Sequence, residues 1–312
     1  MKKKLNPDEL NLITLAAQYS DEGKALSLLE SLRWPNGVMC PHCNHNEVYS
    51  LKPKRTSKSP GRMGLYCCAA CRKQFTVKVG TVFEGSHIPV SKWLMAMFII
   101  CSSKKSVSAH QLHRMLDITY KTAWFMAHRI RFAMDDDTQP MLSGTVEVDE
   151  TFIGGKGDVR TMSLRKTPVV ALISRKGKMK ARVVSNVTQK NIGQCLNECV
   201  SKEAVVNTDD LPTYDKPLKD YKRHDVVNHS AKEYARRNPD GSIAHVNSAE
   251  SFFSLLKRGV YGAWHHISRE HLPKYANEFA FRWNHNKVTD GERMAKFAGL
   301  IEGKRLTYRQ AV

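Results

Sequence analysis

Residues 145–155, which read TVEVDETFIGG, decide how the second half of this chain folds. β-Branched and aromatic residues are spaced through the stretch and two glycines close it, so the sequence predicts a β-strand that ends in a turn. Successive side chains of a strand point to opposite faces. Glu147, Asp149 and Thr151 therefore share one face, and apolar side chains share the other.

Three carboxylates in one strand, those of Glu147, Asp149 and Glu150, allow two interpretations. The first is a half-exposed edge strand with a solvated acidic face. The second is a metal-binding carboxylate in the middle of a sheet. The choice between them depends on the rest of the chain.

The composition favours a protein that binds nucleic acid. The 312 residues are 41% hydrophobic, which suffices for about two domains plus small modules. The formal net charge is +19, with Lys and Arg spread along the whole length, and such an excess favours polyanionic partners. No apolar run approaches the roughly 18 residues of a membrane span, and the N-terminal residues lack the apolar core of a secretory signal. We therefore expect a cytoplasmic, nucleoid-associated protein with no membrane partner.

Two Cys-x-x-Cys pairs predict a Zn²⁺ site, because each pair turns two sulfurs toward one point and four thiolates suit a tetrahedral structural zinc. The predicted ligands are Cys40, Cys43, Cys68 and Cys71. A basic insert at residues 51–64 separates the pairs and is expected to loop out and contact phosphates. Cys67, His42 and His45 are weaker alternatives as ligands, and a redox dithiol is the competing interpretation of a single pair.

Residues 89–133 predict three helices that follow the cysteine-rich segment. A tight turn at residues 117–119 joins the second helix to the third, and the third helix is basic, which is the helix-turn-helix arrangement. Any three-helix segment can mimic this pattern, although the basic segment before it favours DNA binding. The candidate DNA contacts on the third helix are Lys121, Arg129 and Arg131.

An α/β pattern with three separated acids follows. The predicted elements after the first strand are strands at 168–175 and 181–187, a helix at about 189–201, strands at 204–210 and 225–229, and a helix at 247–259. Asp209 lies where the fourth strand ends, and open α/β sheets place functional groups at such ends. Glu250 and Lys257 share one face of the last helix, although a Glu in a first turn also suits the helix dipole.

This order of elements, with acids at Asp149, Asp209 and Glu250, is the layout of a ribonuclease-H-like fold, a mixed sheet flanked by helices. The chain is thus predicted to be α/β, with a zinc ribbon and a helix-turn-helix-like module before the ribonuclease-H-like domain. The predicted domains are N-terminal helices (1–36), the zinc ribbon (37–88), the helix-turn-helix-like module (89–134), the ribonuclease-H-like domain (145–290) and a C-terminal tail (291–312).

Six short motifs follow one another in a distinctive order. They are residues 33–35 (RWP), 40–43 (CPHC), 80–84 (GTVFE), 146–151 (VEVDET), 208–209 (TD) with Tyr214, and 247–258 (NSAESFFSLLKR). In this order and spacing the chain resembles the DDE-type transposases of bacterial insertion sequences, specifically the group with an N-terminal zinc ribbon. The resemblance covers nearly the whole chain.

The resemblance implies a catalytic triad of Asp149, Asp209 and Glu250 that binds Mg²⁺ or Mn²⁺, accompanied by Lys257. Asn247 is the alternative to Glu250, and Asp210 to Asp209. The implied reaction is hydrolysis that frees a 3′-hydroxyl at the element's end, followed by attack of that hydroxyl on target DNA. The implied partners are double-stranded DNA, as terminal inverted repeats and target, and further copies of this chain in a homodimer or larger homo-oligomer.

Other interpretations remain open on the residues alone. Trp264 follows the last predicted helix and could stack on DNA bases, or it could pack in the core. A zinc-ribbon and helix-turn-helix regulator without catalysis would explain the basic charge, but such a regulator needs neither the three acids nor Lys257. A structure-specific nuclease on the same fold would cut DNA without joining it.

Overall fold

The computed structural model describes residues 7–52, 63–154, 166–175, 177–231 and 233–311. Most of the basic insert predicted to loop out lies outside these ranges, and so does Lys176, which lies between the strands predicted at 168–175 and 181–187. Within the described ranges, every helix is too short or too polar to span a bilayer.

The chain divides into two compact units. The first unit contains Met1–Met134 together with Lys287–Val312, and the second contains Asp135–Asn286. The C-terminal residues, predicted as a separate tail, therefore belong to the first unit. There Arg33, almost fully buried, forms a salt bridge with Glu302, with 2.7 Å between Nε and Oε2.

The first unit is mainly helical. Its helices are α1 (Leu12–Gln18), α2 (Glu22–Arg33), α3 (Val90–Ser102), α4 (Ala109–Leu116) and α5 (Tyr120–Ala133). Side chains at the N-caps accept hydrogen bonds from backbone N–H groups that the helix leaves unpaired, as Ser108 does for α4 and Thr119 does for α5. The backbone of Asp117 is in the left-handed helical region, with φ of 47°. This conformation ends α4, so that α5 can begin after a short turn.

A small antiparallel sheet in this unit includes the predicted zinc ligand Cys68 at the end of its second strand. Its strands, in spatial order, are β1 (Val48–Leu51), β2 (Leu65–Cys68) and β3 (Gln74–Phe75). Trp34, Tyr66 and Phe75 pack beside it with ring centroids 5.7–6.1 Å apart. This aromatic cluster is small, so the sheet depends on further crosslinking to be stable.

The second unit contains a mixed sheet of five strands. They are β4 (Thr145–Gly154), β5 (Lys166–Ser174), β6 (Met179–Val183), β7 (Val205–Thr208) and β8 (Arg223–Val226). The spatial order is β6-β5-β4-β7-β8, with β4 antiparallel to β5 and parallel to β7. Because β4 has a neighbour on each side, the edge-strand interpretation of its acidic residues is wrong.

Helices cover both faces of this sheet. They are α6 (Gln189–Cys199), α7 (Asn247–Gly259) and α8 (Leu272–Asn284). Val146 and Val148 of β4 pack in one core with α6, and Ile153 packs in a second core with α7 and α8. The alternation along β4 thus turns Glu147, Asp149 and Thr151 toward α7.

Several strand ends differ from the sequence-based expectation. The strand predicted at 181–187 is shifted to Met179–Val183, and the one predicted at 225–229 lies at Arg223–Val226. In each case the ladder with a neighbouring strand sets the limits, as in the pairing of Ile173 with Met179. A two-stranded hairpin of β9 (Arg236–Arg237) and β10 (Ile243–Ala244) was not predicted, because such short strands leave no periodic pattern.

The C-terminal residues form α9 (Asp290–Ala298) and α10 (Tyr308–Ala311) in the first unit. Thr289 and Glu292 make a reciprocal capping box at the start of α9. A side chain at Gly291 would meet the carbonyl oxygen of Pro7, so the N-terminal and C-terminal ends of the chain contact each other closely.

Gly259 permits a close approach of α7 and α8, and substitution with alanine tests this. A Cβ at Gly259 would lie 2.5 Å from Cζ of Phe279, whose ring is buried and in contact with Trp264. Overpacking costs about 1–3 kcal/mol, which outweighs the gain in helix propensity of up to about 1 kcal/mol. We expect Gly259→Ala to lower the urea midpoint of unfolding.

Gly262→Ala is the matched control, because nothing lies within 4 Å of the added carbon. The control should be as stable as the wild type or slightly more so. Equal midpoints for the two variants would show that the contact between α7 and α8 does not require a glycine.

Candidate active site and metal centre

Strand β4 presents two carboxylates on opposite faces of the central sheet. Asp149 faces α7, and its Oδ1 accepts a hydrogen bond from the backbone N–H of Glu150 at 2.8 Å. The Glu150 side chain lies on the other face, where Tyr214 donates a hydrogen bond to its carboxylate. Asp149 and Glu150 are only partly buried, so solvent reaches the site from the strand.

Asp209 reaches the same region from the neighbouring parallel strand. Glu147 of β4 is the register partner of Asn207 in β7, and Asp149 and Asp209 each follow two residues later. Asp209 lies directly after β7, where its Oδ1 accepts a hydrogen bond from the backbone N–H of Leu211 at 3.3 Å. The next residue, Asp210, is exposed.

Helix α7 supplies the third acid and the predicted basic residue. Glu250 and Lys257 line one cleft of about 550 Å³ together with Asp149. Glu150, Arg258 and Tyr261 also contribute to its walls, whereas Asp209 and Asn247 are not among its lining residues. The structure therefore brings Asp149, Glu250 and Lys257 to one opening, with Asp209 close enough to interact by charge.

The electrostatics of Asp149 reflect this crowding of acids. The pKa of Asp149 is raised to about 7, mainly by burial. The hydrogen bond from the Glu150 backbone opposes this rise, and the charges of Glu150, Asp209 and Glu250 add to it. Burial likewise raises the pKa of Glu150 despite the hydrogen bond from Tyr214. Several carboxylates close together favour a bound cation, and hard oxygen donors suit Mg²⁺ or Mn²⁺.

The four predicted zinc ligands converge in the first unit. The sulfur atoms of Cys40, Cys43, Cys68 and Cys71 all lie within 4.8 Å of one another. Within the described ranges, these four cysteines form a group of metal-ligating side chains compact enough to hold one ion. The described acids of the second unit do not form a group as compact as this. Backbone N–H groups, first that of Cys71, lower the pKa of the Cys68 thiol to about 6, which favours a thiolate.

The two cysteine pairs share one backbone geometry. In each pair the N–H of the residue four positions after the first cysteine donates to that cysteine's carbonyl, from Asn44 to Cys40 at 2.9 Å and from Arg72 to Cys68 at 3.1 Å. Asn44 and Arg72 both have a positive φ, near 59° and 58°. The alternative ligand Cys67 directs its sulfur toward backbone carbonyl oxygens and stays outside the group.

Two of the predicted DNA contacts are buried and make hydrogen bonds inside the protein. Arg129 is 4% exposed and Arg131 is 2% exposed. The Arg129 guanidinium donates to the carbonyl of Glu84, and that of Arg131 donates to the carbonyl of Val107 at 3.1 Å. The structure therefore gives these arginines a structural role, since their charged groups are not available to a phosphate.

The other two predicted DNA contacts differ in exposure. Lys121 is exposed, and its Nζ lies 4.7 Å from the centroid of the Tyr308 ring. Trp264 is only partly exposed and packs edge-on against Tyr275 and Phe279, with centroids 4.3 and 5.7 Å away. Of the two sequence-based interpretations of Trp264, the structure favours core packing.

Sequence reasoning did not assign the cleft residues Glu150, Arg258 and Tyr261 to the site. Arg258 and Tyr261 lie eight and eleven residues after Glu250, a spacing that continues the face shared with Lys257 and that could have identified them. Glu150 was recognised as acidic but not as part of the cleft. Its position depends on Tyr214, which is distant in the sequence.

Comparison with known proteins identifies the family. Residues 141–284 match the ISXO2-like transposase domain, and residues 20–74 match the transposase zinc-ribbon domain. The chain is 30% identical over 285 residues to an "Uncharacterized protein in transposable element ISH50" from Halobacterium salinarum, an alignment that covers 85% of this chain and 91% of that protein. These matches confirm the family predicted from the motifs. The chain belongs to the ISXO2-like transposases that carry an N-terminal zinc ribbon.

Proposed function

We propose that this protein is the transposase of an insertion sequence, which binds the terminal inverted repeats and catalyses divalent-metal-dependent cleavage and joining of DNA strands. The observation that carries the proposal is the cleft in which Asp149, Glu250 and Lys257 meet, with Asp209 interacting by charge. A regulator that only binds DNA has no need of this arrangement. The order of strands around β4 also supports a ribonuclease-H-like catalytic domain.

The proposed catalytic acids are Asp149, Asp209 and Glu250, which would hold Mg²⁺ or Mn²⁺. When bound, such ions activate an attacking oxygen and stabilise charge on the phosphoryl group and the leaving oxygen. Glu250 is preferred over Asn247 because it lines the cleft and its charge raises the pKa of Asp149. Asp209 is preferred over the exposed Asp210 because its charge also acts on Asp149.

The chain's own basic residues would position the DNA. Lys257 and Arg258 line the cleft beside the acids, so they can each hold a phosphate next to the scissile one. Lys121 on α5 is the remaining candidate of the predicted helix-turn-helix contacts, because its side chain is exposed. Two ends of an element must be brought together for transposition, and we therefore propose at least a homodimer.

The four cysteines would hold Zn²⁺ in the ribbon. Four sulfurs within 4.8 Å of one another fit a tetrahedral thiolate site. The surrounding sheet has a small core, so the ion would supply much of its folding free energy. Thiolates select zinc and carboxylates select Mg²⁺ or Mn²⁺, so the two sites do not compete for one metal.

Removing single carboxylates tests the catalytic assignment. Asp149→Asn, Asp209→Asn and Glu250→Gln should each reduce strand transfer by more than about 100-fold, since loss of even an outer partner of a metal ligand costs 10–100-fold. The measurement is strand transfer of DNA carrying the element's terminal repeats in Mg²⁺. A wild-type protein that cuts these ends without joining them would indicate a nuclease.

Asn247→Ala and Asp210→Asn are the matched controls, since they replace neighbouring polar residues outside the cleft. Both controls should retain activity close to that of the wild type. If Asn247→Ala inactivated the protein while Glu250→Gln did not, the third catalytic residue would be Asn247.

The raised pKa of Asp149 predicts a pH-dependent cost to folding. The ordinary pKa of an aspartate is 3.8, and that of Asp149 in the fold is about 7. The Asp149 carboxyl group therefore contributes to the stability of the fold at acidic pH, where it is protonated. That contribution is lost as the pH rises through 7. Without divalent metal, Asp149→Asn should raise the melting temperature by more at pH 8 than at pH 5.

Saturating Mn²⁺ should narrow the difference in melting temperature between Asp149→Asn and the wild type at pH 8, because the wild type gains stability from the ion and the variant does not. Thermal unfolding followed by circular dichroism measures both effects. A stabilisation by Asp149→Asn that is the same at both pH values would contradict the raised pKa.

Removing zinc should unfold the ribbon while leaving the second unit intact. We expect one equivalent of zinc per chain and a loss of binding to the terminal repeats after chelation or in Cys40→Ser. Cys67→Ser is the control and should retain the metal, because its sulfur lies outside the cluster. Zinc lost equally from the two variants would show that the ligand set is wrong.

A further inference from the structure

A polar cluster, buried at Glu147 and Asn207 and half-buried at Ser248, lies beneath the three proposed catalytic acids. Its members Glu147, Asn207 and Ser248 each precede an acid by two residues: Glu147 precedes Asp149, Asn207 precedes Asp209, and Ser248 precedes Glu250. The cluster therefore contains one residue from each of the three elements that carry an acid. These elements are β4, β7, which Asp209 directly follows, and α7.

Glu147 is the centre of this cluster. It is 0% exposed, and its Oε2 accepts a hydrogen bond from the backbone N–H of Ser248 at 2.8 Å. Its Oε1 accepts from the Ser248 hydroxyl at 3.1 Å and from Nε of Arg175 at 2.9 Å. One carboxylate thus connects β4 to the first turn of α7 and also pairs with the cation that follows β5.

Arg175 connects the cluster to β7 and to the segment before α7. Its Nη1 donates to the carbonyl of Ile243 at 2.6 Å, and its Nη2 donates to that of His245 at 3.1 Å. Asn207 is 1% exposed and is the register partner of Glu147. With its amide oriented to match its donors, its oxygen accepts from Nη2 of Arg175 at 2.8 Å.

The placement of this cluster is informative because a buried carboxylate is costly. Desolvation of an ion pair often cancels its attraction, and apolar residues of similar volume are often as stable or more so. The backbone ladder already fixes the register of β4 and β7. The directional hydrogen bonds from Ser248 to Glu147 additionally fix the position of α7 on the sheet, which apolar contacts would leave less defined. Residues two apart in a strand lie on the same face, so fixing Glu147 and Asn207 also restricts Asp149 and Asp209.

We propose that Glu147, Arg175, Asn207 and Ser248 form a positioning network that fixes the three acids at the spacing required to bind divalent metal. The inference rests on the proposed function, since it assumes that those acids hold the metal. None of the four residues is among those lining the cleft, so they act through Asp149, Asp209 and Glu250. A functional site requires its groups to be held within about 0.5 Å of the productive geometry.

The chain offers a matched control for loss of a buried carboxylate. Glu278 is also 0% exposed and pairs with an arginine, Arg282, one turn later on α8. Helix α8 carries none of the three acids. Glu147→Gln and Glu278→Gln therefore remove the same charge from the same kind of environment, and only the first acts on the elements of the site.

The test measures Mn²⁺ binding to the full-length, zinc-loaded protein by electron paramagnetic resonance, alongside thermal unfolding. We expect Glu147→Gln to weaken Mn²⁺ binding by about 10–100-fold, and a high Mn²⁺ concentration to restore most of the strand-transfer rate. Glu278→Gln should bind Mn²⁺ like the wild type even where its melting temperature falls by a similar amount. Ser248→Ala removes one hydrogen bond and should weaken Mn²⁺ binding by a smaller factor.

The outcomes separate this inference from the proposed function. If folded Glu147→Gln bound Mn²⁺ as tightly as the wild type while Asp149→Asn lost binding, the network would be purely structural and the catalytic assignment would stand. Equal weakening by Glu147→Gln and Glu278→Gln would lead to the same conclusion. If Asp149→Asn also left Mn²⁺ binding unchanged, both proposals would fail. Should Glu147→Gln not fold, Ser248→Ala decides the question, and wild-type affinity in that variant would overturn the network.

Discussion

Electrostatic repulsion between carboxylates is the constraint that the second unit of this protein has to accommodate. Asp149 is held close enough to Glu150, Asp209 and Glu250 that burial and their charges bring its pKa to about 7. Such an arrangement opposes folding above neutral pH unless positive charge compensates it. The apolar cores on the two faces of the sheet supply the opposing stabilisation, and β4 contributes to both of them through alternate side chains.

The central position of β4 explains how one strand carries the acidic residues and also contributes to the apolar cores on both faces of the sheet. Its antiparallel pairing with β5 runs from Val146 to Gly154, whereas its parallel pairing with β7 covers only Thr145 to Glu147. β7 ends just beyond that short pairing, and the segments that carry Asp149 and Asp209 are no longer joined by backbone hydrogen bonds of the β4–β7 ladder. Asp149 and Asp209 lie just past this point. Between β4 and β7 the sheet is therefore firmly paired beneath the acids and open at their level, where the proposed metal ion and a DNA phosphate would need access.

Sequence reasoning predicted features that depend on local patterns and missed those that depend on distant partners. The strand with Asp149 and the four cysteines were identified because a two-residue period and the Cys-x-x-Cys spacing are local signals. The burial of Arg131 was missed because its acceptor, the carbonyl of Val107, belongs to another part of the chain. The role of Glu147 was hidden because Ser248 lies 101 residues away. From the sequence alone, a charged residue in a helix or strand is predicted to be exposed, because a partner distant in the sequence cannot be identified.

The net charge of +19 has a similar limit as a guide to function. It predicts a polyanionic partner for the chain as a whole, but it does not identify which cations face that partner, as the buried Arg129 and Arg131 demonstrate. Among the described residues, Lys257 and Arg258 line the same cleft as Asp149 and Glu250. A phosphate that approaches the acids is repelled by them and attracted by these two side chains. The two basic side chains attract the phosphate and the carboxylates repel it from within the same cleft. The phosphate can therefore be held beside the acids, at the position where divalent ions would act.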